Sequence, residues 1–287
     1  IELVVLHALG LYLLFNQNPE QNIRFTIACI GIAFLGLGSG RCGWLMHEGG
    51  HYSLTGYIPL DRALQIVIYG VGCGMSGGWW RNQHNKHHSM PQKQDHDVDL
   101  NTLPLVAFTT KMVKKVGGKM KNWLRLQAYL FPVITTSLVS TGWQLFIHPR
   151  YVMRTKNIAE AITMSLRYIL WHNVITAHFG VANSTMIYLF YNWCASNYIF
   201  INFAVSHTHL PVVPKEDTQV DWVRYSAIHT MNVNSGPFKF VDWWMSFLNY
   251  QIEHHLWPSM PQFRHPESSK RVRKLFEKHG LHYDSRD

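Results

Sequence analysis

The chain has 287 residues and a formal net charge of +9, from 26 Lys and Arg against 17 Asp and Glu. Hydrophobic residues make up 47% of it and charged residues 15%, which excludes a disordered chain because there is ample apolar surface to bury. Its four cysteines include no CxxC pair, which excludes a zinc ribbon, a thioredoxin-type redox motif and a disulfide scaffold.

Long apolar runs predict a helical integral membrane protein. They cover about residues 1–16, 23–46, 124–147, 158–180 and 184–206. The last of them is long enough to span about 30 Å of hydrocarbon as a helix. The run at 62–77 is shorter and rich in glycine, so we expect it to lie in the interface or to re-enter the membrane. No Ser, Pro or Gly linker divides the sequence, and we predict a single membrane domain over 1–287.

Two polar segments, at about 79–121 and 207–287, predict a cap outside the bilayer. Basic residues concentrate there, at 111–125 and 270–278, and the excess of Lys and Arg on the inner side of membrane proteins places the cap in the cytosol. The pI of about 9.4 is also typical of nucleic-acid-binding domains. We expect no nucleic acid, because these charges flank apolar spans, where they suit anionic lipid headgroups or an acidic redox partner.

Three histidine groups carry the chemistry. They are His47-Glu48-Gly49-Gly50-His51, His84-Asn85-Lys86-His87-His88 and Gln251-Ile252-Glu253-His254-His255. Positions i, i+3 and i+4 share one helix face, so each group predicts a compact cluster. Seven imidazoles exceed what one tetrahedral zinc needs and favour iron, copper or zinc over magnesium or calcium. One such group alone is more often structural, but three of them predict two metal ions, and iron is the metal we expect.

The order of the groups along the chain constrains the topology. The three groups meet at one membrane face only if an even number of crossings separates the second from the third. Three apolar runs lie between these groups, so two should cross and one should lie flat, and the sequence does not decide which. The predicted fold is therefore all-α, with about four transmembrane helices, interfacial helices and a cytosolic cap that holds a diiron site. His207 and His209, at the end of the last span, are further candidate ligands.

At these residues the sequence resembles the membrane fatty acid desaturases, and specifically the front-end acyl desaturases. Its HxxxH, HxxHH and QxxHH boxes match that family in order and separation, and Gln251 in place of a histidine is the mark of the front-end enzymes. The resemblance implies two irons. We place Gln251 in the catalytic site, where its amide could bind iron, hold a bridging water or only form a hydrogen bond, and His209 remains a further candidate ligand. The implied iron ligands are His47, His51, His84, His87, His88, His207, His254 and His255.

The same resemblance implies a reaction and its partners. Removing hydrogen from an unactivated methylene needs a metal-oxygen oxidant, with O2 as co-substrate and electrons from cytochrome b5 and its reductase. The substrate would be a polyunsaturated acyl chain on CoA or a phospholipid, and the product would gain a cis double bond on the carboxyl side of an existing one, at Δ4, Δ5, Δ6 or Δ8. The expected location is the endoplasmic-reticulum membrane, multi-pass, with the site facing the cytosol.

The fused cytochrome b5 domain that is usual in this family, with its HPGG motif, does not occur in this sequence. Because the sequence also lacks a starting Met, we expect either a longer native protein or a separate cytochrome b5.

Other functions fit parts of the pattern. A sphingolipid long-chain-base desaturase or hydroxylase would use the same iron site. A histidine-rich metal transporter is more distant, since its sites would lie near the bilayer midplane and not at span ends. Nearby carboxylates are candidates to accept the second N–H of a ligating imidazole; they are Glu48, Asp95, Asp97, Asp99 and Glu253.

Overall fold

The structure is a computed structural model that describes residues 1–100, 102–103, 105–114, 116–207, 209–217 and 221–287. The described chain is mainly helical, as predicted. Its helices are α1 (Glu2–Leu14), α2 (Gln21–Gly50), α3 (Ile58–Cys73), α4 (Gly77–Ser89), α5 (Thr110–Lys114), α6 (Gly118–Arg125), α7 (Gln127–Ser137), α8 (His148–Thr155), α9 (Ile158–Trp171), α10 (Ala177–His207), α11 (Trp222–His229), α12 (Phe240–Trp244), α13 (Gln251–Leu256) and α14 (His265–Lys278).

Short elements complete the fold. A π-helical stretch, Leu138–Ile147, joins α7 to α8, and a second, His172–Thr176, joins α9 to α10. Strands β1 (Asn232–Val233) and β2 (Ser285–Arg286) pair in parallel, with Asn232 opposite Ser285. Three 3₁₀ turns lie at Val98–Leu100, Pro237–Lys239 and Gln262–Arg264.

Two helical stretches of the described chain are long and apolar enough to cross a membrane. They are α2 and the continuous stretch Gln127–Thr155, while α1 is a shorter apolar helix. The run at 124–147 therefore falls largely within a helix of spanning length. The run at 184–206 lies inside the 31-residue α10, which bends at Gly180, where φ is 75°. The full count of four crossings remains a prediction.

The chain forms two compact units that interleave along the sequence. Unit 1 comprises 1–49, 62–79 and 132–200, and unit 2 comprises 50–61, 80–131 and 201–287. Most of the apolar runs belong to unit 1, and both polar segments belong almost entirely to unit 2.

Unit 1 packs α1, α2 and α10 around a buried apolar core. This core contains Leu14, Ile32, Leu35, Ile175, Ile187 and Tyr191. A Cβ atom at Gly31 would lie 2.7 Å from the carbonyl oxygen of Gly10 on α1. Only glycine permits this approach, so α1 and α2 meet backbone to backbone.

Unit 2 buries α13 against α11 and α14. Ile252 and Leu256 of α13 pack with Ala227 of α11 and with Val272 and Phe276 of α14. Every residue of α13 is buried, although four of its six residues are polar. This burial holds the third histidine group rigidly and requires its polar side chains to find partners inside the unit.

Candidate metal centre

Four histidines of unit 2 converge in a first cluster. One ring nitrogen from each of His51, His84, His88 and His254 lies within 4.8 Å of those of the others. His88 is central, since its Nε2 lies 3.0 Å from Nε2 of His84 and 3.1 Å from Nε2 of His254. The ring of His84 also stacks on Trp80, with centroids 4.2 Å apart, which fixes the orientation of that imidazole.

Three other histidines form a second cluster. Ring nitrogens of His87, His207 and His255 lie within 4.8 Å of one another, and all three side chains are buried. The rings of His88 and His255 stack with centroids 4.2 Å apart, so the two clusters are neighbours. Unit 2 therefore holds two adjacent sets of imidazole donors, as two metal ions would require.

Helix geometry explains how the histidine groups divide between the clusters. Consecutive residues of an α-helix point about 100° apart. His87 and His88 therefore diverge from α4, one into each cluster, and His254 and His255 diverge in the same way from α13. The spacing predicts that each group is compact, and the structure adds that each cluster draws on several groups.

Asp97 orients one ligand candidate of the second cluster. Its carboxylate lies 3.0 and 3.1 Å from Nδ1 of His87 and also accepts the backbone N–H groups of Gln92 and Asp99, at 2.7 and 3.0 Å. Because Nδ1 is engaged, Nε2 is the nitrogen of His87 left for a metal. This carboxylate-histidine arrangement accompanies most histidine metal ligands.

Protonation states in the cluster follow from burial and neighbours. Burial, together with nearby imidazoles, lowers the pKa of His51 to about 3 and that of His88 well below its usual range. Burial and His87 lower the pKa of His207 to about 3. These three rings are neutral at pH 7 and offer lone pairs. Burial also lowers the pKa of His87, but the carboxylates of Asp97 and Asp99 outweigh it and raise the value to about 9.

Gln251 lies against His207. Its Oε1 is 3.1 Å from Nε2 of His207, whose Nδ1 faces the carbonyl oxygen of His229 at 3.4 Å. The side chain of Gln92 donates to the carbonyls of His207 and Leu210, at 2.7 and 3.0 Å, and so anchors the end of α10. Gln92 joins the Asp97 loop to His207, and no sequence signal pointed to it.

The donor set fits a pair of transition-metal ions. In a neutral imidazole only one ring nitrogen carries a proton. The Nε2 atom of His88 nevertheless lies 3.0 Å from Nε2 of His84 and 3.1 Å from Nε2 of His254, so the three nitrogens gather around one point. Two nitrogens bonded to one metal at about 2.1 Å and at right angles stand about 3 Å apart. The spacing is therefore suited to a shared cation.

The carboxylate of Glu253 accepts hydrogen bonds from β1 and from the carboxyl-terminal segment, and not from an imidazole. Its carboxylate accepts hydrogen bonds from Nδ2 of Asn232 at 2.8 Å and from the hydroxyl of Tyr283 at 2.9 Å. Burial raises the pKa of Glu253 to about 7. Oδ1 of Asn232 accepts the N–H of Ile252 at 2.9 Å, so β1 and Tyr283 together clamp α13 in place.

Replacing Tyr283 by Phe is expected to loosen this clamp. The variant leaves a buried carboxylate without one of its two donors, which costs about 1–3 kcal/mol of unfolding free energy. We expect a lower unfolding temperature and faster loss of bound metal from the purified protein to a chelator. Tyr57→Phe is the matched control, because Tyr57 is 64% exposed. Equal metal retention in both variants would refute a positioning role for Tyr283.

The remaining sequence candidates have different environments. His47 belongs to unit 1, where it is buried on α2 one helical turn before His51. His209 is exposed and belongs to neither cluster among the described residues. The carboxylate of Asp95 lies 3.6 Å from Lys215 at the surface, whereas Asp99 lies 3.4 Å from Nδ1 of His87. Glu48 is half-buried in unit 1.

Comparison with known proteins adds an independent observation. Residues 25–287 match the family model described as fatty acid desaturase. The chain is 55% identical over 286 residues to the acyl-lipid (8-3)-desaturase of Rebecca salina, covering 99% of this chain and 64% of that protein. It is 48% identical over 286 residues to the acyl-lipid (8-3)-desaturase of Thraustochytrium sp, covering 99% and 63%.

More distant relatives share the same region. The Delta(8)-fatty-acid desaturase of Euglena gracilis is 29% identical over 272 residues, covering 91% of this chain and 64% of that protein. The chain thus spans a little under two thirds of the length of these relatives.

Proposed function

Because this chain belongs to the fatty acid desaturase family, we propose that it is the catalytic part of a front-end acyl-lipid desaturase. The proposed reaction inserts a cis double bond between an existing double bond and the carboxyl end of a polyunsaturated acyl chain. The observation that carries the proposal is the pair of adjacent histidine clusters with Gln251 beside His207. The relatives named acyl-lipid (8-3)-desaturases favour an acyl-lipid substrate over acyl-CoA. The (8-3) regiochemistry in their name is therefore the first to test.

The chain's own residues would hold and orient two irons. His51, His84, His88 and His254 supply the first set of nitrogens, and His47 would join them from the same face of α2, four residues before His51. His87, His207 and His255 supply the second set. Bound iron would supply, with O2, the oxidising power to remove hydrogen from an unactivated methylene, which no side-chain acid or base can do.

Other residues of unit 2 fix the positions and orientations of these ligand side chains. Asp97 fixes the tautomer and direction of His87, and Gln92 fixes the end of α10 beneath His207. Gln251 offers a neutral amide oxygen next to His207, so it would leave the second iron with a weaker donor than an imidazole. The buried Glu253 and Asn232 hold α13, which carries three of the site's side chains.

The cellular setting is part of the same proposal. We expect four crossings of the endoplasmic-reticulum membrane, with unit 2 in the cytosol, and cytochrome b5 with its reductase as the electron donor. The two helices of spanning length and the family membership support a membrane location.

Expression in yeast tests the proposal, because yeast microsomes supply cytochrome b5. Cells receive a panel of di- to pentaenoic fatty acids, and mass spectrometry locates any new double bond in the phospholipid and acyl-CoA pools. A new bond on the carboxyl side of an existing one, appearing first in phospholipid, is the expected result. A hydroxylated product, or change confined to sphingoid bases, would contradict it. If no product forms, the test is repeated with a cytochrome b5 domain fused before Ile1, and continued inactivity of iron-loaded protein would also contradict it.

A further inference from the structure

Helix α4 carries three of the candidate ligands, although its sequence favours a helix only weakly. It begins with two glycines, and six of its 13 residues are His, Asn or Ser. All of these are poorer helix formers than Ala, Leu or Glu. Its first turn contains no acidic residue, so no local side chain offsets the positive end of the helix dipole. The helix therefore needs support at its start from another part of the chain.

Ser76, the residue before α4, gives part of this support. Its hydroxyl oxygen accepts the N–H of Trp79 at 3.0 Å, which is the bond that a serine N-cap makes with the third helical residue. The N–H of Ser76 donates to Nδ1 of His148 at 2.8 Å. In a capping box the third helical residue is Glu or Gln. Here it is Trp79, so the local sequence lacks the second half of that motif.

Glu160 of α9 supplies a carboxylate at this position from 84 residues away. It accepts hydrogen bonds from the hydroxyl of Ser76 and from the N–H of Gly78, the latter at 2.7 Å. Glu160 is 1% exposed, and these two donors offset the cost of burying its carboxylate. Because Glu160 also lies in the first turn of α9, its carboxylate stands near the starts of two helices, where negative charge is favoured.

These contacts occupy three N–H groups at the start of α4. The groups belong to Ser76, Gly78 and Trp79, and their acceptors are His148, Glu160 and the hydroxyl of Ser76. All five residues belong to unit 1, and α4 continues from there into unit 2 as one helix. The first N–H groups of a helix have no partner within it. Without the cap, unwinding would begin at this end and travel toward the histidines.

We propose that Glu160, acting with Ser76, is a positioning residue of the metal centre, because it completes the cap that keeps α4 helical. The helical form brings Nε2 of His84 and His88 to 3.0 Å from each other and directs His87 into the second cluster. Glu160 belongs to neither cluster, so it acts through the helix and not on the metal. This role rests on the proposed function only in that the three histidines are metal ligands.

Glu160→Gln tests the cap in the purified full chain, loaded with Fe²⁺ in nanodiscs. The amide has about the same size but a single acceptor oxygen, so Ser76 or Gly78 loses its acceptor. Amide hydrogen exchange of residues 78–89 should become at least about tenfold faster, since a hydrogen bond to a charged group is lost, and exchange in 184–206 should not change. Loss of Fe²⁺ to a chelator should also become about tenfold faster. Unchanged exchange in 78–89, or an equal increase in 184–206, would overturn the proposal.

Glu20→Gln is the matched control, because Glu20 is exposed and lies in the same unit. It removes the same charge and should leave both rates as in the wild-type protein. Equal acceleration in the two variants would overturn the proposal, since the charge of the unit and not the cap would then control α4. Ser76→Ala is a milder second variant that keeps the bond from Gly78 to Glu160. Wild-type exchange of 78–89 in Ser76→Ala would overturn the proposal even if Glu160→Gln does not fold.

Moving the carboxylate within the cap separates positioning from a general loss of stability. In Ser76→Asp/Glu160→Gln the new aspartate can accept the N–H of Trp79, and the new amide can donate to that aspartate. Exchange and Fe²⁺ loss should return most of the way to the wild-type rates, and no recovery would overturn the capping role. Because exchange requires no turnover, it decides on the cap even if the wild-type protein forms no desaturated product in yeast.

Discussion

Replacing His88 by Ala is expected to abolish desaturation and to strip iron from the protein. His88 contributes Nε2 to the first cluster, within 3.0 and 3.1 Å of those of His84 and His254, and its ring stacks on His255 of the second. Loss of a residue that merely orients a ligand costs about 10–100-fold in metal affinity or activity, so loss of this central ligand should cost at least about 100-fold. Elemental analysis of the purified protein and product formation in yeast microsomes measure the two effects.

The control for this experiment is His282→Ala. His282 is exposed near the carboxyl terminus and belongs to neither cluster among the described residues. It should keep the iron content and turnover of the wild-type protein at equal expression. Turnover of His88→Ala within a few-fold of this control would show that the first cluster is not the metal site.

Asp97→Asn is expected to give the second largest effect. The amide cannot neutralise His87 and has only one acceptor oxygen, whereas both oxygens of Asp97 face Nδ1 of His87 and each also accepts a backbone N–H, from Gln92 or Asp99. In the variant the NH₂ group would meet one of these N–H groups, so the hydrogen bond that fixes the tautomer of His87 would weaken. Iron affinity and turnover should fall by about 10–100-fold. Competition with a chelator measures affinity, and single-substrate assays in microsomes measure turnover.

Asp95→Asn is the matched control for Asp97. Asp95 lies two residues earlier in the same loop and has a φ of 66°. Its ion-pair partner among the described residues is Lys215, at the surface. Asn tolerates that backbone conformation well, so the control should leave iron and turnover unchanged. If both variants behave alike, the effect would belong to the loop and not to the carboxylate on His87. The unfolding temperature of each variant separates lost iron affinity from lost stability.

Several features of this protein were determined by local sequence. The i, i+4 spacing places His84 with His88, and Gln251 with His255, on one helix face each because α4 and α13 are regular over those residues. The apolar runs predicted helices because a chain in lipid must satisfy its backbone hydrogen bonds internally, and the described chain is mainly helical. The three histidine boxes and their order also predicted imidazole as the main donor, and the same boxes carry the resemblance to the desaturases.

Other features required tertiary structure. Which histidines share a cluster depends on how α4, α10 and α13 pack in unit 2, so the sequence did not separate His87 from His88. Of the five candidate carboxylates, spacing did not show that Asp97 binds His87 while Glu253 binds Asn232 and Tyr283, the latter 30 residues away.

The physical reason is the sequence distance over which each kind of interaction acts. Helix periodicity acts over four residues, and the sequence determines it directly. The partners of a buried polar group depend on which distant segments exclude water around it, since the need for a hydrogen bond appears only on burial.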